Sequence, residues 1–349
     1  MKRLKSIVLV VSAAVVSVGY LLAGTASPSV DAQGSAALSI APRKNYTIEP
    51  GKTVNDTLLI RNLDSKLELN LSLHVIDFTY TDDGGTPKLM LDEDAPQTLW
   101  SLKPYIKLPE TITIEPGASQ TIDMSISIPK NQGGGSLYSA IVYSSGSSAG
   151  GNVGLSASGV TLVFADIPGP TNENLTLKNL GAYNAATQKY TRFTTAEPQR
   201  IAYTLENKGN VVASPVGSIT LTSMFGKETK IANVNPNQSL ALIGQTRTFE
   251  ACIKLKKEDI DFNGSRSEAA TCAEPQLWPG YYKVTFDGFY GRNGSDTKEL
   301  LGTAYFWYLP WWFIAIVIAV LLVVSYQVWK IVRYIRRKGN APSGKRRRK

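Results

Sequence analysis

The chain is poor in the residues that most enzyme and metal chemistry needs. Its 349 residues include one histidine, His74, and two cysteines, Cys252 and Cys272. A Ser-His-Asp or Cys-His site would have to rest on His74 alone, which lies in a strand-like segment opposite Leu71 and Leu73 with no motif around it. No Gly-rich phosphate loop, HExxH pair or nucleophile elbow occurs, so no cofactor is expected and an enzyme is the least favoured class. Redox or zinc chemistry would need closer cysteine spacing or more ligands. Cys252 and Cys272 are instead expected to pair across a polar loop in an oxidising compartment. Asp82, Asp83, Asp92, Glu93 and Asp94 lack the spacing of a calcium loop and read as a solvated acidic edge.

Charge is missing from one long stretch. Between Thr303 and Trp329 there is no charged residue, and the run is led by Tyr305, Phe306, Trp307, Tyr308, Trp311 and Trp312. A hydrocarbon core of about 30 Å is crossed by a helix of roughly 20 apolar residues, so 303–329 is expected to span a membrane. Trp307, Trp311 and Trp312 would sit in the outer interfacial belt and Lys330 at the inner one. Lys330, Arg333, Arg336, Arg337, Lys338 and the run Lys345 to Lys349 form a tail with no acid in it. The positive-inside bias places this tail, 330–349, in the cytoplasm and the rest of the chain outside the cell membrane.

The net charge of +9 belongs to the two ends. From Gln33 to Trp329 the chain holds 24 basic and 27 acidic residues, so the high pI reports membrane topology and predicts no nucleic-acid partner. At the N-terminus, Lys2, Arg3 and Lys5 precede an apolar stretch from Ile7 to Ala23. Residues 1–32 read as a secretory signal peptide cleaved after Ala32, or as an anchor left uncut.

What fills the middle is alternation. Ile122, Met124, Ile126 and Ile128 point one way, and Thr121, Asp123, Ser125 and Ser127 the other, which describes a strand with one buried face. Strands are also expected at Val54 to Arg61 and Leu67 to Tyr80, the latter running into a hairpin turn at Asp82-Asp83-Gly84-Gly85. The sequence Ile-Glu-Pro-Gly occurs at 48–51 and again at 114–117, each time just before a strand, and reads as local turn chemistry. Leu137 to Tyr143 and Val160 to Ile167 are expected to pair, with the Ser/Gly stretch between them as the hairpin tip. Pro168-Gly169-Pro170 then breaks the pattern and marks a domain boundary. Six further strand candidates follow, from Leu175 to Tyr308, separated by turns such as Asn235-Pro236-Asn237. The expected fold is all-β: two immunoglobulin-like β-sandwich ectodomains, 33–169 and 170–302, followed by one transmembrane α-helix.

Trp100 and Tyr105 lie in a segment without alternation and are the candidates for a binding surface, although core-capping aromatics look the same in sequence. Leu108-Pro109-Glu110-Thr111 imitates a sortase signal, but Ile112 stands where glycine is needed.

The chain resembles the WxL-interacting surface proteins of Gram-positive-type bacteria. In the first domain the resemblance rests on Pro50-Gly51 before a strand ending Arg61-Asn62, on Asp82-Asp83-Gly84-Gly85, and on Pro129 with Gly133-Gly134-Gly135. In the second it rests on Asn207-Lys208-Gly209-Asn210, Phe225-Gly226-Lys227, Arg247-Thr248-Phe249, Gly280-Tyr281-Tyr282 and Pro310-Trp311-Trp312. The resemblance implies a peptidoglycan-binding first domain, a partner-binding second domain, one transmembrane helix and a basic tail. Trp100-Ser101-Leu102 and Trp307-Tyr308-Leu309 spell W-x-L, but in that family the motif belongs to the partners. The expected function is a non-enzymatic, single-pass surface protein whose outer sandwich binds cell-wall peptidoglycan or another surface protein. The alternative is a structural scaffold subunit of a membrane-embedded surface complex. A strand-lending accessory chaperone is a further possibility, and would need an open edge strand in the first domain.

Overall fold

A computed structural model describes residues 38–91, 97–145, 157–262, 265–291 and 297–339. The expected signal peptide, Asp92 to Asp94, most of the Ser/Gly stretch and the end of the basic tail lie outside those residues.

The described strands are β1 (Leu38–Ser39), β2 (Arg43–Thr47), β3 (Thr53–Asn62), β4 (Leu69–Ile76), β5 (Phe78–Tyr80), β6 (Pro87–Leu89), β7 (Ile106–Lys107), β8 (Thr111–Ile114), β9 (Ser119–Ser127), β10 (Gly135–Ser145) and β11 (Ala157–Ile167). They continue as β12 (Leu175–Asn184), β13 (Lys189–Thr191), β14 (Phe193–Thr194), β15 (Arg200–Asn207), β16 (Val216–Ser223), β17 (Glu228–Ile231), β18 (Thr246–Cys252), β19 (Leu255–Phe262), β20 (Ser265–Cys272), β21 (Gly280–Tyr290) and β22 (Lys298–Tyr308). The helix α1 (Trp311–Gly339) closes the described chain.

Two immunoglobulin-like sandwiches result. Sheets β1-β3-β9-β7 and β2-β11-β10-β4-β8 make the first, and β13-β12-β15-β18 and β14-β22-β21-β16-β17 the second. The central strand order is shared: β3 corresponds to β15, β4 to β16, β9 to β18, β10 to β21 and β11 to β22, while the edge strands β7 and β13 have no counterparts. In each, a short strand, β2 or β14, runs parallel to the last strand, while the other ladders are antiparallel. Two small hairpins, β5-β6 and β19-β20, project from this frame.

The sequence dictates these strands through side-chain period. In β3, Leu58 and Ile60 are buried while Leu59 and Arg61 face out, and β9 alternates likewise through Ile122, Met124 and Ile126. Each enters its sheet from a Pro-Gly turn. Lys52 N–H donates to Glu49 O and Ala118 N–H to Glu115 O, both at 3.1 Å. Gly51 (φ 81°) and Gly117 (φ 69°) supply the positive φ that a type II turn needs at its third residue.

Two expectations are corrected. Leu67 to Tyr80 is not one strand, because the chain bends at Asp77, whose buried carboxylate accepts from Ser101 Oγ (2.7 Å) and Ser139 Oγ (3.0 Å). The apolar run starting at Thr303 is not all helix either. Residues 303–308 finish β22, paired with Gly280 to Thr285. Pro310, which has no N–H to give a ladder, ends the strand, and its carbonyl accepts from Phe313 and Ile314 as α1 begins. α1 is the one described helix long and apolar enough to cross a membrane. From Trp311 to Lys330 it rises about 29 Å, close to the hydrocarbon thickness of about 30 Å.

Candidate interaction surfaces

β10 shows what the outer face of the first sandwich does. Its sequence Leu-Tyr-Ser-Ala-Ile-Val-Tyr does not alternate, and Ser136 through Ser144 are all buried. Leu137, Ile141 and Tyr143 face the core of the first sandwich, together with Val163 and Ala165 of β11. Tyr138, Ala140 and Val142 face the other way, with Phe164, Ile76 and Phe78, and Val212 and Leu242 from loops of the second sandwich cover them. The two sandwiches are therefore docked through an apolar seam. Phe78, Tyr138 and Phe164 form its aromatic centre, with ring centroids 5.3 to 5.9 Å apart.

Polar contacts fix the register of this seam. Asn210 O accepts from Ser136 N at 3.0 Å, and Asn210 Nδ2 donates to Gly134 O at 3.0 Å. A Cβ on Gly135 would stand 2.7 Å from Asn210 O, and its φ is 144°, so the approach requires glycine. On the other side, the hairpin β5-β6 lies against the start of β18. Thr248 N donates to Asp83 O at 2.5 Å, Thr246 Oγ1 to Asp83 Oδ1, and Arg247 to the Tyr80 hydroxyl at 2.6 Å. The Arg247 guanidinium also lies 4.7 Å over the Tyr80 ring. Burial pushes the Tyr80 hydroxyl up despite the opposing pull of Arg247.

Of the sequence candidates, Trp100 is half-buried, stacks on Tyr138 at 6.2 Å and joins the interdomain seam. Tyr105 is half-buried against the core of the first sandwich, its hydroxyl donating to Gln132 Oε1 at 3.2 Å. The two pack against different clusters and do not form one surface. His74 is half-buried on β4, opposite Val142 in register. Cys252 and Cys272 are bonded, with Cα atoms 5.2 Å apart, at the foot of the hairpin β19-β20. Among the described residues no group of three or more His, Cys, Asp and Glu is gathered as a metal would require.

Trp307, Trp311, Trp312 and Lys330 are all exposed. Trp307 belongs to a ladder on the outer face of β21 and β22, where Tyr281 stacks on Tyr305 at 5.4 Å and meets Trp307 at 5.2 Å. Sequence reading missed Tyr281, the centre of that ladder, and the seam residues Val212 and Leu242. Tyr281 is found only once the register opposite Trp307 is known. The lack of alternation in β10 was the available sign of the seam, since a strand apolar on both faces must be covered on both.

No family model matches the chain, and no curated protein does. Among solved structures it is similar to the class 5 fimbriae chaperone CfaA, at 12% identity over 77% of this chain and 99% of that one, with a TM-score of 0.34. The E. coli chaperone DraB matches at 12% identity over 76% and 98%, TM-score 0.32. A protein of unknown function from Porphyromonas gingivalis W83 matches at 10% over 78% and 99%, TM-score 0.25. Likeness at this level extends to no ligand or partner. The class reached from the fold itself is a double immunoglobulin-like sandwich protein with one C-terminal helix able to cross a membrane.

Proposed function

We propose that the protein is a non-enzymatic, single-pass surface protein that holds its outer sandwich at a fixed stand-off from the cell membrane, where it binds cell-wall peptidoglycan or another surface protein. The observation that carries this reading is the uninterrupted mechanical path from α1 outward. β22 ends at Tyr308 and α1 begins at Trp311, so the second sandwich is joined to the span by two residues. The apolar seam then joins that sandwich to the first one. An arm joined to the span by two residues and to the outer domain by an apolar seam suits presentation of a binding domain. The basic residues from Lys330 onward support a cytoplasmic tail, and the resemblance to WxL-interacting surface proteins supports the wall as ligand.

The test is sedimentation of the detergent-solubilised full chain with purified insoluble peptidoglycan, before and after the wall is digested with a muramidase. Pelleting that depends on intact wall is the expected result. If the protein stays in the supernatant, the glycan reading fails and crosslinking on intact cells becomes the way to a protein ligand. The ladder of Tyr281, Tyr305 and Trp307 just above α1 favours a second reading, a scaffold subunit beside another membrane protein. A stoichiometric partner in the detergent extract would support it.

A further inference from the structure

The base of the second sandwich exposes more apolar surface than the fold requires. β16 ends at Ser223 opposite Tyr282, and β21 begins at Gly280 opposite Tyr308, three residues before α1. The turn after β16 carries Met224 (56% exposed) and Phe225 (76%), and the segment before β21 carries Trp278 (68%). Trp311, the first residue of α1, is 73% exposed. Met224 packs on Gly280, where an added Cβ would stand 2.6 Å from its sulfur, and its N–H donates to Tyr281 O at 2.9 Å. A cleft of about 370 Å³ opens between Phe225 and Trp278, floored by Leu277 and Tyr282, with Lys227 also lining it.

The covalent path limits how far this surface can lie from the start of α1. Paired strands are about 5 Å apart and each residue spans at most about 3.5 Å, so Trp278 is within roughly 22 Å of Trp311. If α1 crosses the bilayer, as the proposed function holds, Trp278 and the 224–225 turn lie at the bilayer-facing end of the second sandwich. Large exposed apolar groups gathered in one place mark a contact site, and tryptophan favours the headgroup layer. We propose that Met224, Phe225 and Trp278 enter the outer-leaflet headgroup layer beside Trp311, with Lys227 meeting lipid phosphate. The second sandwich thus stands on the membrane and does not swing from Leu309 and Pro310.

The full chain, reconstituted in vesicles of phosphatidylcholine and phosphatidylglycerol, tests this with a nitroxide placed singly at Phe225→Cys, Lys66→Cys or Val320→Cys. The native cysteines are tied to each other and do not take the label. Collisions with oxygen and with a water-soluble nickel complex report depth. The expected result is a label at 225 shielded severalfold from nickel relative to 66 and rich in oxygen collisions, though less so than 320. A water-like label at 225 with a lipid-like one at 320 overturns the proposal and leaves the spanning reading standing. Shielding of 225 from both reagents reports contact with another copy and also overturns it. A water-like label at 320 removes the spanning reading and this proposal together.

Discussion

Asn62 and Asn207 occupy the same place in the two sandwiches. Asn62 ends β3 and Asn207 ends β15, and each is buried. Asn62 Nδ2 donates to Leu67 O (2.8 Å) and Ile114 O (3.2 Å), and Asn207 Nδ2 to Val211 O (2.8 Å) and Ala241 O (2.9 Å). In both, Oδ1 accepts from the backbone N–H two residues on, Asp64 or Gly209, at 2.9 Å. One amide thus satisfies the carbonyls of a loop that leaves a strand end and the strand or loop that returns beside it. Ala241 O also accepts from Ala213 N–H at 3.2 Å, so the amide adds to a single bridge there.

Asn62→Ala and Asn207→Ala should each destabilise the protein by about 2–3 kcal/mol, because buried carbonyls and an N–H lose the hydrogen bonds of the amide. The aspartate variants should be at least as costly, since an acceptor would then face those carbonyls. Urea unfolding of each variant measures this. A change below about 0.5 kcal/mol in either alanine variant would mean that water replaces the amide and the equivalence is not energetic.

The seam predicts coupling between the sandwiches. Val142 is fully buried in the seam cluster that holds Phe164, Val212 and Leu242, so Val142→Asp places an unpaired charge there. The expected outcome is separation of the domains with both cores kept. It would show as two unfolding transitions in place of one and a larger radius by small-angle scattering. A single transition at the original radius would show that the seam is incidental. By the same logic, a fragment ending at Gly169 should aggregate, because nothing then covers Tyr138, Val142 and Phe164.

The alternating strands and the Pro-Gly turns could be read from the residues, because period and turn chemistry are local. β9 announces itself through Ile122, Met124 and Ile126, and the two turns through a glycine that must take positive φ. The shared strand order of the sandwiches could not be read, since equivalent strands bury different side chains. β10 with Tyr138 and Val142 corresponds to β21 with Tyr281 and Thr285, one face covered and the other open. What persists is a polar device, Asn62 and Asn207, and a single asparagine is too common to carry a repeat. The seam was half legible: β10 shows that something covers it, but Val212 and Leu242 come from irregular loops with no period. The candidate surfaces fared alike. Trp100 and Tyr105 are marked in sequence only by being aromatic, and Phe225 and Trp278 acquire meaning only where the strand register sets them beside α1.

The disulfide ties one hairpin to the end of β18. It closes a separation of 20 residues, and β19 and β20 pair with each other and with no other described strand. In a chain-entropy view such a link contributes about 3 kcal/mol, but here it is spent locally. Reduction should therefore speed tryptic cutting after Lys256 and Lys257 many-fold while leaving the melting temperature of the sandwiches within about 2 °C. Mass spectrometry of timed digests with parallel calorimetry checks both halves. Cooperative loss of the whole fold on reduction would show that the hairpin supports the second sandwich.

Acid should loosen the first sandwich at a particular bond. Asp56 on β3 accepts from Lys44 Nζ at 2.8 Å and Tyr46 OH at 2.6 Å, both on β2, so it ties the two sheets together. Lys44 first, then Tyr46, holds the Asp56 carboxyl at about 2. An unfolded aspartate titrates near about 3.9, so the folded state binds the proton less readily. The stabilisation is present above that value and fades as pH falls toward about 2. Asp56 is about a third exposed, so after allowance for solvent screening its contribution is about 1 kcal/mol. Asp56→Asn should accordingly be less stable than the native chain at pH 7, with the gap closing as pH falls through about 2. Urea midpoints taken across that range decide the matter: parallel curves for the two proteins would show that the carboxylate contributes nothing through its charge.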